Sequence, residues 1–190
     1  MRAATLALAA ALSGVLAAVF VSTQAAAQGV EQRSFETEGE TLHYTLRTHP
    51  AEANRFDFPA QLSPGSALDT ARLLNQYLAA GKLEDAALLS NAPKRRYEVL
   101  QDYRGEVGEE GFRRVFGEYF YPENRFAAEI AIGEHTLLIW HLARTDRYAG
   151  LFFRQIDGRS LIDDVPSETR SQLRRLLEAY RAGQISSARR

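Results

Sequence analysis

Cysteine is absent from this 190-residue chain. No disulfide can staple the fold, no thiolate can hold zinc, and no cysteine can carry a lipoprotein's lipid. A domain of this length must therefore be held by its core, and it is long enough to build one. Lysine is almost absent too. Lys82 and Lys94 are the only two among 23 basic residues. With the many alanines, that arginine bias reads as the codon habit of a GC-rich bacterial genome. A dominant charge sign is the third absence. The 23 Lys+Arg face 24 Asp+Glu, a net charge of −1. A nucleic-acid binder concentrates basic charge on one face, and a lipid-surface binder needs it as well, so both classes are disfavoured. There is no Gly-rich phosphate loop, no G-x-S-x-G elbow and no H-E-x-x-H pair. No cofactor or metal site is expected.

The start of the chain has the pattern of a targeting segment. Arg2 precedes an apolar, Ala-rich run from Ala3 to Val21, and Ala25-Ala26-Ala27 supplies an A-x-A cleavage site. The expected signal peptide is 1–27. Its Ala content, Ser13 and Gly14 make it a poor permanent span, so contact with the membrane is expected only through this segment. Cleavage removes Arg2 and leaves 22 basic against 24 acidic residues, a net of −2. The expected address is the periplasm, or the exterior, after cleavage near Ala27.

Residues 28–65 read as a leader. Gln28–Arg33 is polar and expected to be mobile. Thr41–Thr48 alternates like a strand, the second arm of a hairpin through Gly39. Pro50, Pro59 and Pro64 mark a connector. From Ser66 the period changes to helical. Ser66 and Asp69 resemble a capping box, Leu68, Ala71, Leu74 and Leu78 form a stripe, and Gly81 is a stop. A second helix is expected to end near Asn91, and Pro93 opens a third. Gly105, Gly108 and Gly111 punctuate before a fourth piece with Phe112, Val115, Phe116 and Tyr119 on one face.

Alternation returns at Asn124. Four antiparallel strands are predicted: Phe126–Ile132, His135–Ala143, Tyr148–Ile156 and Arg159–Val165. Their turns fall at Gly133-Glu134, Thr145-Asp146 and Asp157-Gly158, the last a strong hairpin signal. A final helix places Leu173, Leu176, Leu177 and Tyr180 on one face and stops at Gly183. Residues 66–183 are expected to be one α+β domain: N-terminal helices over one face of a curved four-stranded meander, plus an N-terminal strand region and a C-terminal helix. Residues 184–190 are expected to fray.

The segment IAIGEHTLLIWHLA, 130–143, holds the only tryptophan and two of the four histidines. By pleat, Leu138, Trp140 and Leu142 form the core face. His135 and His141 share the other face, but at about 3.3 Å per residue they lie about 20 Å apart and cannot share a metal ion. His135 reads as an exposed turn residue. His141, with Asp146 across the next turn, is a candidate general base. Tyr97, Tyr119, Tyr121 and Trp140 are candidate pocket residues, although aromatics at a helix-to-strand junction more often close a core. Glu106, Glu109 and Glu110 lack calcium-loop spacing. Asp163 and Asp164 are adjacent strand residues pointing opposite ways, a poor acid–base pair. The arginine pairs at 95–96, 113–114 and 174–175 read as solvated faces or bonds to acids.

The helix and its short successor, ARLLNQYLAAGKLEDAALLSN, and the long meander after the helices together resemble the NTF2-like superfamily over Ser66–Val165. The resemblance implies a curved sheet wrapped around helices, with a conical pocket. Members include isomerases, cyclases and dehydratases acting on hydrophobic small molecules, and also non-catalytic binding or assembly modules, some of them dimers. Tyr103 and Asp102 join the residues above as cone candidates, but no residue falls in a family motif. Two readings result. One is a non-catalytic module of the cell envelope that binds a small apolar ligand or an envelope protein. The other is a small cavity enzyme using His141. A homodimer stays open.

Overall fold

A computed structural model describes residues 29–37, 39–49 and 62–185. The predicted signal segment 1–27, residues 50–61 of the connector and the end of the tail, 186–190, lie outside the described residues. The fold is α+β. Its strands are β1 (Val30–Thr37), β2 (Glu40–Arg47), β3 (Arg125–Ile132), β4 (His135–Leu142), β5 (Arg147–Ile156) and β6 (Arg159–Ile162). They form one six-stranded sheet in sequence order, every described pair antiparallel. Its helices are α1 (Ala67–Ala79), α2 (Leu83–Ala87), α3 (Pro93–Gly117) and α4 (Glu168–Arg181), and a 3-10 turn spans Glu118–Phe120.

The meander therefore has six strands where four were expected. The polar leader is not loose from Val30 onward: it is β1, hairpinned to β2. β2 then joins β3 through Thr45–Arg47 against Glu129–Ala131. The reason is apolar surface. Leu42, Tyr44 and Leu46 alternate on one face of β2 and are buried, which a detached hairpin could not achieve.

The helices also lie on both faces rather than one. On the first face α1, α2 and α3 pack over Phe126, Leu138, Trp140, Phe153 and Ile162. On the second, α4 lays Leu173, Leu176 and Leu177 over Leu42, Tyr44, Ile130, Leu137 and Ile139. Both faces of β4 are core, since Leu137, Leu138, Ile139 and Trp140 are all inaccessible. Ala127 is the extra residue of a β-bulge: Phe126 pairs with Trp140 and Ala128 with Ile139. The bulge turns Phe126 to the α1–α3 side and Ala128 and Ile130 to the α4 side, which unbroken alternation would forbid.

Local signals set the helix ends. Ser66 and Ser167 cap α1 and α4 by accepting the Asp69 and Arg170 N–H groups. Gly81 and Gly183 end them in the left-handed region at φ +71° and +72°. In both, the residue after the glycine bonds back to the helix, Lys82 to the Tyr77 carbonyl and Gln184 to that of Ala179. The expected third and fourth helical pieces are both present within α3, separated by a kink at Gly108, whose φ of +74° and ψ of 165° are not helical. α2 ends at Ala87, short of Asn91, because Ser90 leaves to bridge Ile162. Ile185, expected to fray, is buried beneath α4.

Candidate functional site

His141 is hydrogen-bonded to Asp146, Nε2 to Oδ1 at 2.8 Å. Its ring tilts against Tyr148, which meets Tyr180 of α4 edge-on. The imidazole is thus on the α4 face, while Trp140 faces α1–α3. The Asp146 side chain is 90% exposed, so this pair sits at the rim of the sheet, where Asp146, Arg147, Tyr148 and Arg181 line an open depression. The His141 Nδ1 atom is buried without a partner.

His135 is not the exposed turn residue expected. Its side chain is only 12% exposed, and Nδ1 lies 3.0 Å from Oδ2 of the buried Asp163. Asn91 donates to the other Asp163 oxygen at 2.7 Å and accepts from the Asp164 N–H at 2.9 Å. Asp164 takes a bidentate pair from Arg96 at 2.8 and 2.6 Å and a bond from Ser90 at 2.6 Å. The two aspartates point apart, and each is consumed by its own partners. This network ties the start of α3 to the ends of β4 and β6, and its groups are satisfied.

The pocket candidates scatter. Tyr97 bonds Glu84 and Gln101 on the helical layer. Tyr121 carries the Arg144 guanidinium 3.4 Å above its ring. Tyr119 and Trp140 do come together, edge to face with centroids 5.7 Å apart. Trp140 stacks in turn on Phe126 at 4.2 Å. Burial pushes the Tyr119 phenol pKa up, helped by the nearby Glu118 and Tyr103.

Beside this aromatic wall is a polar group that the sequence did not mark. His49 follows β2, and its side chain is 4% exposed. Its ring lies 6.3 Å from that of Phe126, and its Nε2 is 3.4 Å from Glu129 Oε2. That contact lacks hydrogen-bond geometry, and both ring nitrogens of His49 are buried and unpartnered. Glu129 also faces the Arg47 guanidinium at 3.6 Å. From α1, the Arg72 guanidinium lies 5.9 Å from the Phe126 ring centre. Asn75, one turn on along α1, is 2% exposed, and its Nδ2 has no partner. Several buried polar side chains are satisfied: Thr70 bonds the Ser160 carbonyl, Ser90 bonds Asp164, and Asn124 bonds Glu118 and Ala143. His49 and Asn75 join His141 Nδ1 and the Arg154 and Arg170 Nε atoms as buried polar groups without a hydrogen-bond partner, against the usual pairing of interior polar groups. Two signals were legible: Glu129 is the one charge within the apolar run FAAEIAI, and Asn75 interrupts the α1 apolar face.

No group of three metal-ligating side chains gathers among the described residues, and no described helix is long and apolar enough to cross a membrane. No family model, curated protein or solved structure matches the chain.

Proposed function

We propose that this protein is an exported, non-catalytic ligand-binding module of the bacterial cell envelope, and that it binds its ligand where α1 packs over strands β2–β3. The observation that carries this reading is the pair of buried side chains with ring or amide nitrogens lacking a hydrogen bond, His49 and Asn75. Leaving such groups unmade costs about 1–3 kcal/mol each, a cost that a bound molecule would offset. Phe126, Trp140 and Tyr119 form an aromatic run whose Phe126 end meets the His49 ring. The ligand class that fits is a small, largely apolar molecule with one hydrogen-bonding head. Export rests on the Ala-rich leader and its A-x-A site. The NTF2-like resemblance is part of the same proposal. What supports it is the layer of α1–α3 on one face of β3–β6; β1–β2 and α4 would be additions to that plan.

A second reading has its own observation. The His49–Glu129 pair offers a buried imidazole beside a carboxylate, the arrangement of a general base. It replaces His141–Asp146 as the centre of the cavity-enzyme alternative, because Asp146 is open to water.

Native mass spectrometry of the protein isolated from cells that export it tests both readings. A chain beginning at Gln28 with an added small mass, lost in His49→Leu and Asn75→Leu, is the expected result. A bare chain that gains no mass from a small-molecule extract of the envelope overturns ligand binding. If the captured molecule is released chemically altered by the wild type and unaltered by Glu129→Gln, the enzyme reading replaces the binding one. A chain retaining residues 1–27 overturns cleavage.

A further inference from the structure

β1 is an outer strand of the sheet, and among the described residues nothing pairs with its outer edge. The opposite edge is managed. β6 is only four residues long, Ser90 bridges it, and Ile162 exchanges backbone bonds with Leu89 and Asn91. β1 runs for eight residues with an unbroken register against β2 and no proline. A long unpaired edge is a template for another strand.

The hairpin geometry says which groups are free. Thr37 and Glu40 flank a two-residue connection, so they form a hydrogen-bonded pair. By alternation, the N–H and C=O groups of residues 31, 33, 35 and 37 turn toward β2, and those of Val30, Gln32, Ser34 and Glu36 turn outward. A second observation adjoins the first. On the α4 face, an open groove of about 560 Å³ is lined by Phe35 of β1 and by Arg174, Glu178, Ala179 and Ala182. An added strand would place alternate side chains along that groove.

We infer that the occupant is a second copy of this chain, with β1 pairing antiparallel to β1 across a two-fold axis at Ser34. The strand is complementary to itself in that register. Gln32 meets Glu36 of the second copy, Arg33 meets its Phe35, and Glu31 meets its Thr37, so no like charges stand directly opposite. An axis perpendicular to the sheet keeps the faces aligned. Both α4 helices then flank the seam on one side, and each copy's Phe35 extends the apolar floor of the other's groove. The groove wall carries both signs, Arg174 and Glu178, so a reversed copy meets it without being forced into like-charge contact. This assembly is independent of the proposed ligand site at His49 and Asn75, which lies on the α1–α3 side of the sheet.

Light scattering and hydrogen exchange on the mature chain test it. The wild type is expected to have twice the chain mass, with amide exchange at residues 30, 32, 34 and 36 slowing as concentration rises. Ser34→Pro deletes one outward N–H and spares the bonds to β2; proline is tolerated at such an edge position. With far-UV circular dichroism unchanged, it should raise the dimer dissociation constant by about tenfold or more. A monomer at every concentration overturns the inference. So does a dimer whose β1 exchange is independent of concentration, a result that stands even if Ser34→Pro fails to fold. Recovery of β1 paired with a different protein, with the purified chain monomeric, overturns it in favour of a heterologous strand.

Discussion

His135 and Asp163 are 3.0 Å apart, and Asp163 is 2% exposed; His141 and Asp146 are closer, at 2.8 Å, yet the Asp146 side chain is 90% exposed. Burial, not distance, decides what each pair contributes. Asp163 also holds Asn91 through its second oxygen, so neutralising it turns an amide group against partners that already donate. Asp163→Asn is expected to cost about 2–4 kcal/mol by chemical denaturation. Asp146→Asn should change stability by less than about 0.5 kcal/mol. Asparagine also tolerates the φ of +49° at position 146. Equal losses from the two substitutions would refute the ranking.

Gly150 is the contact point between β5 and α4. A Cβ there would lie 2.5 Å from Leu177 Cδ2 and 3.1 Å from Leu137 Cδ1. Both leucines are buried, so neither can swing into solvent. Gly150→Ala is expected to cost about 1–3 kcal/mol through overpacking. Leu177→Ala made in the same chain should recover part of that loss, giving a coupling of about 0.5–3 kcal/mol in a double-mutant cycle. Strict additivity would mean that α4 does not sit on Gly150.

The element order was legible because periodicity switches cleanly at Ser66 and Asn124, and Asp157-Gly158 folds as the turn it spells, with both residues at positive φ. The second helical face was harder to see. LLIW in β4 is a continuous apolar run, the mark of a strand covered on both sides, but pleat logic alone assigned only Trp140's face to the core. The bulge at Ala127 is invisible to alternation, because alternation places Phe126 and Ile130 together. The buried His49 was missed for a related reason. His49 and Glu129 come from separated segments, and only the pairing of β2 with β3 brings them together. His135 was misread because its partner, Asp163, is 28 residues away across the ends of two strands.

Tyr119 makes stability depend on high pH. Burial, then Glu118 and Tyr103, raises its pKa above the ordinary tyrosine value of 10.0. The sign follows from which state ionises first. Below pH 10 the phenol is neutral in both states, and its contribution is fully present. As pH climbs past 10 the unfolded chain loses the proton before the folded one, so stability falls until the folded pKa is passed. Ultraviolet titration should show a tyrosine ionising later than the exposed ones, and Tyr119→Phe should remove that component and flatten the alkaline loss of stability. Tyr44, also raised by burial, supplies a second late component that Tyr119→Phe leaves in place.

Asn75 separates stability from binding. It sits on the buried flank of α1 beside Ala71 and Leu78, with its amide nitrogen unpartnered. Leucine has a similar volume, propagates a helix better than asparagine does, and brings no orphaned donor. Asn75→Leu is therefore expected to stabilise the unliganded protein by about 1 kcal/mol, a shift of a few degrees in Tm. The same change removes the donor that the ligand's head would meet, so ligand-induced stabilisation should vanish while the apo Tm rises. A group kept for packing alone would behave otherwise: Asn75→Leu would leave the ligand's shift intact. A fall in the apo Tm would show instead that the asparagine amide is satisfied in the folded chain, and the proposed site would lose its strongest residue.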